Sequence, residues 1–353
     1  MTHQKTFALC TLFNSMYLDK GIVLYQSLAK VAKDFTLYIL AMDEKCYEIL
    51  KDLAFPNVVA INLAEFENER LLQAKANRGF GEYCWTCSSS LIKYVLNTYQ
   101  PDYCAYIDAD MKFYSDPMLI INELESRKAS VSIVGHRFGW YAKRSADIIG
   151  TYCVECNVFK NDSKARTLLD IWIDQCIEDC SRKNDGIHFG DQKYLDNWVS
   201  DYDYVIETEN LGAGIAPWNI PQYSLVGNDG EKIAVKCRGQ VYQVLFYHFE
   251  GITYGSPTEA DIHIYSRWGI DDKLVEIFYK PYLEEIYDAN LMLKERYGLE
   301  IVLKHHPALK QVSKKEAIAN KIKVLFSNGF IGLFYHIIPR SLYYKKDRIS
   351  ISR

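Results

Sequence analysis

The chain has 353 residues, with 41 Lys and Arg against 45 Asp and Glu and a net charge of −4. At 49% hydrophobic and 24% charged it has globular composition, which excludes intrinsic disorder and collagen-like repeats. The near-neutral balance gives no ground for a general nucleic-acid binder, and no uninterrupted run of about 18 apolar residues is present to cross a bilayer as a helix.

The first hundred residues alternate between strand and helix patterns. Phe7–Thr11 is an apolar run that stops at the polar break Asn14-Ser15, the pattern of a buried strand ending in a loop. Residues 21–31 place Ile22, Leu24, Tyr25, Leu28 and Val31 at helical spacing. A strand is expected over 35–40, a helix over 43–53 with acid at its start, a strand over 58–61, a helix over 88–97 and a strand over 103–108. Such alternation predicts a mostly parallel sheet covered on both faces, with any ligand beyond the carboxyl ends of the strands.

Further along, strands are expected over 130–134, 154–159 and 241–247. A helix is expected over 164–180, with Leu168, Leu169, Trp172 and Cys176 on one face. From about Glu259 the pattern reads as helical. From Lys304 to Arg353 there are 11 basic residues against Glu316 and Asp347, a net +9, which leaves −13 for the first 303 residues. Within that tail the apolar stretch 324–338, broken by Ser327, Asn328, Gly329 and Gly332, falls short of the roughly 20 residues that span a bilayer. Apolar and aromatic surface beside lysines predicts an element lying in the interface of an anionic membrane, with a helical hairpin packed on the domain as the alternative.

Ten cysteines are present, but residues 1–7 lack the apolar core of a signal peptide, so free thiols in a reducing cytosol are expected. The pairs Cys84/Cys87 and Cys153/Cys156 have no Gly-rich knuckle around them and read as small apolar fillers rather than a zinc site.

Chemistry concentrates in Ala105-Tyr-Ile-Asp108-Ala109-Asp110-Met-Lys-Phe-Tyr-Ser-Asp-Pro117. An apolar strand delivers two carboxylates at i and i+2, a hard-oxygen pair suited to a divalent cation and, through it, a diphosphate. A solvated turn or a phosphatase nucleophile motif would also carry Asp-x-Asp, but Lys112 stands where such phosphatases carry Thr or Val. Two further groups stand out, Phe189-Gly-Asp191-Gln192 and Phe246-Tyr-His248-Phe-Glu-Gly251. A histidine at a strand end can add a neutral imidazole ligand to the carboxylates.

In that order, Thr11-Leu-Phe-Asn14, Ser90-Leu-Ile-Lys93, Asp108-Ala109-Asp110, Gly190-Asp191-Gln192 and His248-x-x-Gly251 resemble a GT-A-fold glycosyltransferase, most nearly family 8 and related nucleotide-diphospho-sugar transferases. The resemblance covers about residues 6–255. It implies a Rossmann-like mixed α/β sheet with helices on both faces as a catalytic domain over 1–255; the pattern beyond it predicts a helical C-terminal region over 256–353 with a basic tail. It implies Mn2+ or Mg2+ on Asp108, Asp110 and His248. Donor contacts would come from Thr11, Asn14, Lys93, Ala109 and Gly251, with Asp191 and Gln192 beside the transferred sugar. Two positions depart from the family. Tyr254 stands where a diphosphate-binding Lys is usual, which makes Arg137 a candidate cation. Glu155, in Cys153-Val-Glu155-Cys-Asn157, replaces an Asn-x-Gly element and would suit a general base for inversion, whereas the resemblance implies retention. The implied partners are a nucleotide-sugar donor and a saccharide or lipid-linked acceptor, at the inner face of a bacterial membrane where lipopolysaccharide or capsule is assembled. The alternative is a binding scaffold of the same fold without catalysis.

Overall fold

The computed structural model describes residues 5–139, 142–183, 185–228, 232–256, 258–264, 270–303 and 347–351. Most of the basic tail, including the 324–338 stretch, lies outside the described residues. The chain forms two compact units, Met1–Phe249 and Glu250–Arg353.

The first unit is built on a seven-stranded sheet. Its strands are β1 (Phe7–Phe13), β2 (Thr36–Ala41), β3 (Val58–Asn62), β4 (Tyr103–Ile107), β6 (Val131–Gly135), β7 (Tyr152–Lys160) and β8 (Val205–Glu207), ordered β3-β2-β1-β4-β7-β6-β8; the short β5 (Met111–Phe113) stands outside it. β3, β2, β1 and β4 run parallel, but β7 is antiparallel to both β4 and β6. β6 and β8 are parallel to one another, so the sheet is mostly parallel as expected. It is made mixed by β7 alone, where the chain returns beside β4 instead of crossing over again. The α/β architecture expected from the sequence is present.

Helices Leu18–Val31, Glu44–Leu53, Phe80–Thr98 and Ser163–Glu178 supply the covering layers. Asp43 and Asp162 cap two of them, accepting from the backbone N–H of Cys46 and Ala165. Cys10, Leu12, Cys104 and Tyr106 share one buried cluster with Leu91, Val95, Leu168 and Trp172, so the predicted apolar face of the last helix packs as expected. Gly21 is a close-approach glycine, since a Cβ there would lie 2.2 Å from the Phe13 ring. That fit lets the first helix fold back directly over the end of β1.

The expected strand over 241–247 is two strands. β9 (Ser224–Asn228), β10 (Ile233–Cys237) and β11 (Gln240–Gln243) form a small antiparallel sheet, whereas β12 (Phe246–His248) pairs antiparallel with β5. The run divides at Val244-Leu245 because its halves find different partners. Leu245 N–H turns to the Gly212 carbonyl, and the Leu245 carbonyl accepts from Tyr114.

The second unit is not wholly helical. β13 (Thr253–Ser256), β14 (Glu259–Asp261) and β15 (Arg348–Ser350) make an antiparallel sheet, accompanied by a helix over Lys280–Tyr297 with Pro281 in its first turn and Gly298 at φ +61° ending it. β15 comes from the far end of the chain, so local pattern at 259 could not reveal that it is paired. Among the described residues no helix is long and apolar enough to cross a membrane.

Candidate active site

The parallel pairing of β1 with β4 sets Cys10 beside Tyr106, so both strands end at one edge of the sheet. There β1 gives way to Asn14, and β4 to Asp108. Directly after Asp110, β5 pairs with β12 so that Met111 lies opposite His248. Phe249 N–H then donates to the Asp110 carbonyl at 2.8 Å. This short ladder, closed between residues more than a hundred positions apart, carries the imidazole to the carboxylates. His248 Nε2 lies 3.2 Å from Asp110 Oδ1 and 3.7 Å from Asp108 Oδ2.

Behind the imidazole stands a third carboxylate. His248 Nδ1 is 2.8 Å from Glu155 Oε2, and Asp108 N–H donates to the Glu155 carbonyl at 3.2 Å, which ties the motif to β7. Glu155 is fully buried, and His248 is 5% exposed. Cys153, Glu155 and His248 gather their ligand-type atoms within 4.8 Å, as do Asp108, Asp110 and His248. The ring of Trp218 meets His248 edge to face, with centroids 5.3 Å apart.

The charges in this cluster act on one another. Burial alone would lower the pKa of His248, but Asp110, Cys153 and Glu155 outweigh it and hold the imidazole well above its usual value. Burial pushes Asp108 up to about 6, against the pull of His248. Asp110 is held below the usual carboxylate range, because His248 and Lys20 overcome its burial. Lys20, in the first turn of the helix Leu18–Val31, is 2% exposed. Burial depresses its ammonium, Asp19 and Asp110 draw it back, and its Nζ sits 4.1 Å from the centre of the Tyr17 ring.

Asp191 lies nearby and is also buried. Ser88 Oγ sits 2.6 Å from Asp191 Oδ2 and 2.8 Å from the Trp85 carbonyl. Ser88 donates in both contacts, its single hydroxyl proton shared between the two acceptors. Burial pushes Asp191 up to about 7, against the Ser88 hydrogen bond and with the help of Asp108.

The remaining predicted residues divide. Thr11 is fully buried in β1, and Asn14 caps the turn at Ser15–Tyr17, accepting from Met16 N–H. Ala109 is buried between the two carboxylates. Gln192 donates to the Ile149 carbonyl at 2.9 Å. Gly251, at φ +87°, opens the second unit. Lys93 is not brought to the carboxylates, because its ammonium pairs with Asp170 on the outer side of two packed helices. Arg137 is not available for a diphosphate either. Its side chain is 5% exposed, and its guanidinium donates to the carbonyls of Ala213 and Thr208 and faces Glu207. Sequence reasoning missed Lys20, Ser88 and Trp218. The Gly212-Ala-Gly214-Ile-Ala-Pro-Trp218-Asn219 segment was the available signal for the last, a turn-rich stretch without helical or strand period.

The donor set fits a divalent cation. Two carboxylates and an imidazole converge at the carboxyl edge of the sheet, hard oxygens with one borderline nitrogen.

Fold and site together define an α/β protein with a carboxylate–imidazole centre at the edge of a mixed sheet. No protein-family model matches the chain. It is 30% identical over 281 residues to the uncharacterized protein YfnD of Bacillus subtilis (strain 168), covering 79% of this chain and 88% of that protein. It is 29% identical over 292 residues to the uncharacterized protein YfnF of the same organism, covering 81% and 92%. The chain belongs to the family of YfnD. Among solved structures it is similar to mouse xyloside xylosyltransferase 1, with a TM-score of 0.45, 14% identity, and coverage of 69% of this chain and 98% of that one. It is similar also to the glycosyltransferase GlyE of Streptococcus pneumoniae, with a TM-score of 0.47, 12% identity, and coverage of 88% and 67%.

Proposed function

We propose that this chain is a metal-dependent, GT-A-type glycosyltransferase that moves a sugar from a nucleotide-diphosphate donor to a saccharide or lipid-linked acceptor in bacterial surface polysaccharide assembly. The observation that carries this reading is the approach of His248 Nε2 to Asp108 and Asp110. Asp108, Asp110 and His248 would hold Mn2+ or Mg2+, which when bound supplies Lewis-acid charge to a departing diphosphate. The chain's own groups prepare the rest. Through that cation the two aspartates would place the donor's charged end at the sheet edge, and Lys20 stands buried beside Asp110. Asp191, a second buried carboxyl close to Asp108, is assigned to hydroxyls of the transferred sugar or acceptor.

Calorimetric titration of the full chain with UDP-, GDP- and dTDP-sugars, with Mn2+ or with a chelator, tests the proposal. Metal-dependent binding of at least one donor, lost in Asp110→Asn, is expected. A donor that binds equally well with chelator, or equally well to folded Asp110→Asn, would overturn the metal assignment. Binding of none would favour a scaffold.

A further inference from the structure

Glu155 stands where the resemblance led us to expect part of an Asn-x-Gly element, and it is fully buried. Such a carboxylate is costly to keep unless something repays its desolvation. Only one of its oxygens is engaged, since Oε2 faces His248 Nδ1 at 2.8 Å while Oε1 has no hydrogen-bond partner among the described residues. The surrounding backbone is shaped to admit it. Gly214, at φ +76°, passes so close that a Cβ there would lie 2.8 Å from Glu155 Oε1 and 2.5 Å from Val134 Cγ1. Asn219 fixes that glycine by donating to the Gly214 carbonyl at 2.7 Å and to the His136 carbonyl at 3.0 Å. The same segment sets the Trp218 ring edge to face with the imidazole.

We infer that Glu155 is a positioning residue for His248, accepting Nδ1–H so that the Nε2 lone pair is turned toward Asp108 and Asp110 as a cation ligand. Its place behind the imidazole, away from solvent, does not suit a general base. The inference rests on the metal reading of Asp108, Asp110 and His248. A buried carboxylate on the far nitrogen fixes tautomer and ring orientation and makes the near nitrogen a better donor, and removing such a partner costs about 10–100-fold in metal affinity. Cys153 completes the second group around the ring, but the direct 2.8 Å contact between Glu155 and His248 is a hydrogen-bond distance, which leaves no room for an ion between them.

The test is Mn2+ binding to the full chain, read from the free-Mn2+ electron paramagnetic resonance signal, for wild type, Glu155→Gln, Glu155→Asp and Glu155→Leu. Circular dichroism and thermal melting establish folding. The expected order of affinity is wild type, then Gln, then Leu, with Gln weakened about tenfold or more while its melting temperature stays near wild type. Asp, which keeps the charge on a shorter arm, is expected to bind more tightly than Leu. If Leu does not fold, the Gln variant decides. A folded Glu155→Gln chain that binds Mn2+ as tightly as wild type overturns the positioning role but leaves the metal site standing. A wild-type chain that binds no Mn2+ overturns both.

Discussion

Replacing Asp191 with Asn gives a stability test that needs no substrate. The carboxyl is buried, and its pKa is pushed from 3.8 up to about 7, a rise of roughly three units. At about 1.36 kcal/mol per unit, ionising it inside the fold costs roughly 4 kcal/mol. The group is protonated in the folded chain up to about pH 7 but ionises near pH 4 when unfolded, so the native state binds the extra proton between those limits. Stability therefore falls as pH rises across that window and levels off above it. Asparagine keeps the shape and can still bond Ser88 Oγ without a charge to bury. Denaturant unfolding from pH 4 to pH 8 is expected to show the two proteins within about 1 kcal/mol of each other at pH 4. At pH 8, Asp191→Asn is expected to be more stable by about 4 kcal/mol. Parallel curves for the two proteins would refute the raised pKa of the buried carboxyl.

Other consequences follow from the same contacts. Gly214→Ala forces a side chain into a φ of +76° against Val134 and Glu155 and is expected to destabilise the first unit by about 2–4 kcal/mol, measurable by thermal melting. Lys93→Ala removes a surface pair with Asp170, whose side chains are 42% and 52% exposed. It is expected to cost no more than about 1 kcal/mol of stability and to leave donor affinity unchanged; a large loss of donor binding would return Lys93 to the site. The basic tail is proposed to bind anionic membrane. Deleting it would also strip β15 from β14, so neutralising Lys314, Lys315, Lys321 and Lys323 to Gln is the cleaner perturbation. At about 1 kcal/mol per basic residue, vesicle partitioning at low salt is expected to fall about a thousandfold, and equal sedimentation of both proteins would exclude an electrostatic tail.

What the sequence determined by itself was local. Hydrophobic period and capping residues specify β1, β2, β3 and β4 and the helices Leu18–Val31 and Glu44–Leu53, because each is decided by neighbours within a few turns. Between β3 and β4 they indicated only the second half of the helix Phe80–Thr98 and left the short helices Leu63–Phe66 and Glu69–Lys75 unread. Asp108 and Asp110 were legible for the same reason, as a buried strand followed at once by two carboxylates. Tertiary structure decided the rest. The run over 241–247 divides because its first half pairs with the adjacent β10 in a hairpin while β5, distant in sequence, claims its second half. Arg137 and Lys93, both plausible donor contacts from their positions along the chain, are consumed by the carbonyls of Thr208 and Ala213 and by Asp170. Glu155, which by sequence would suit a general base, is buried on β7 behind His248. A charged side chain's role depends on which partner reaches it first in space, and only the folded chain settles that competition.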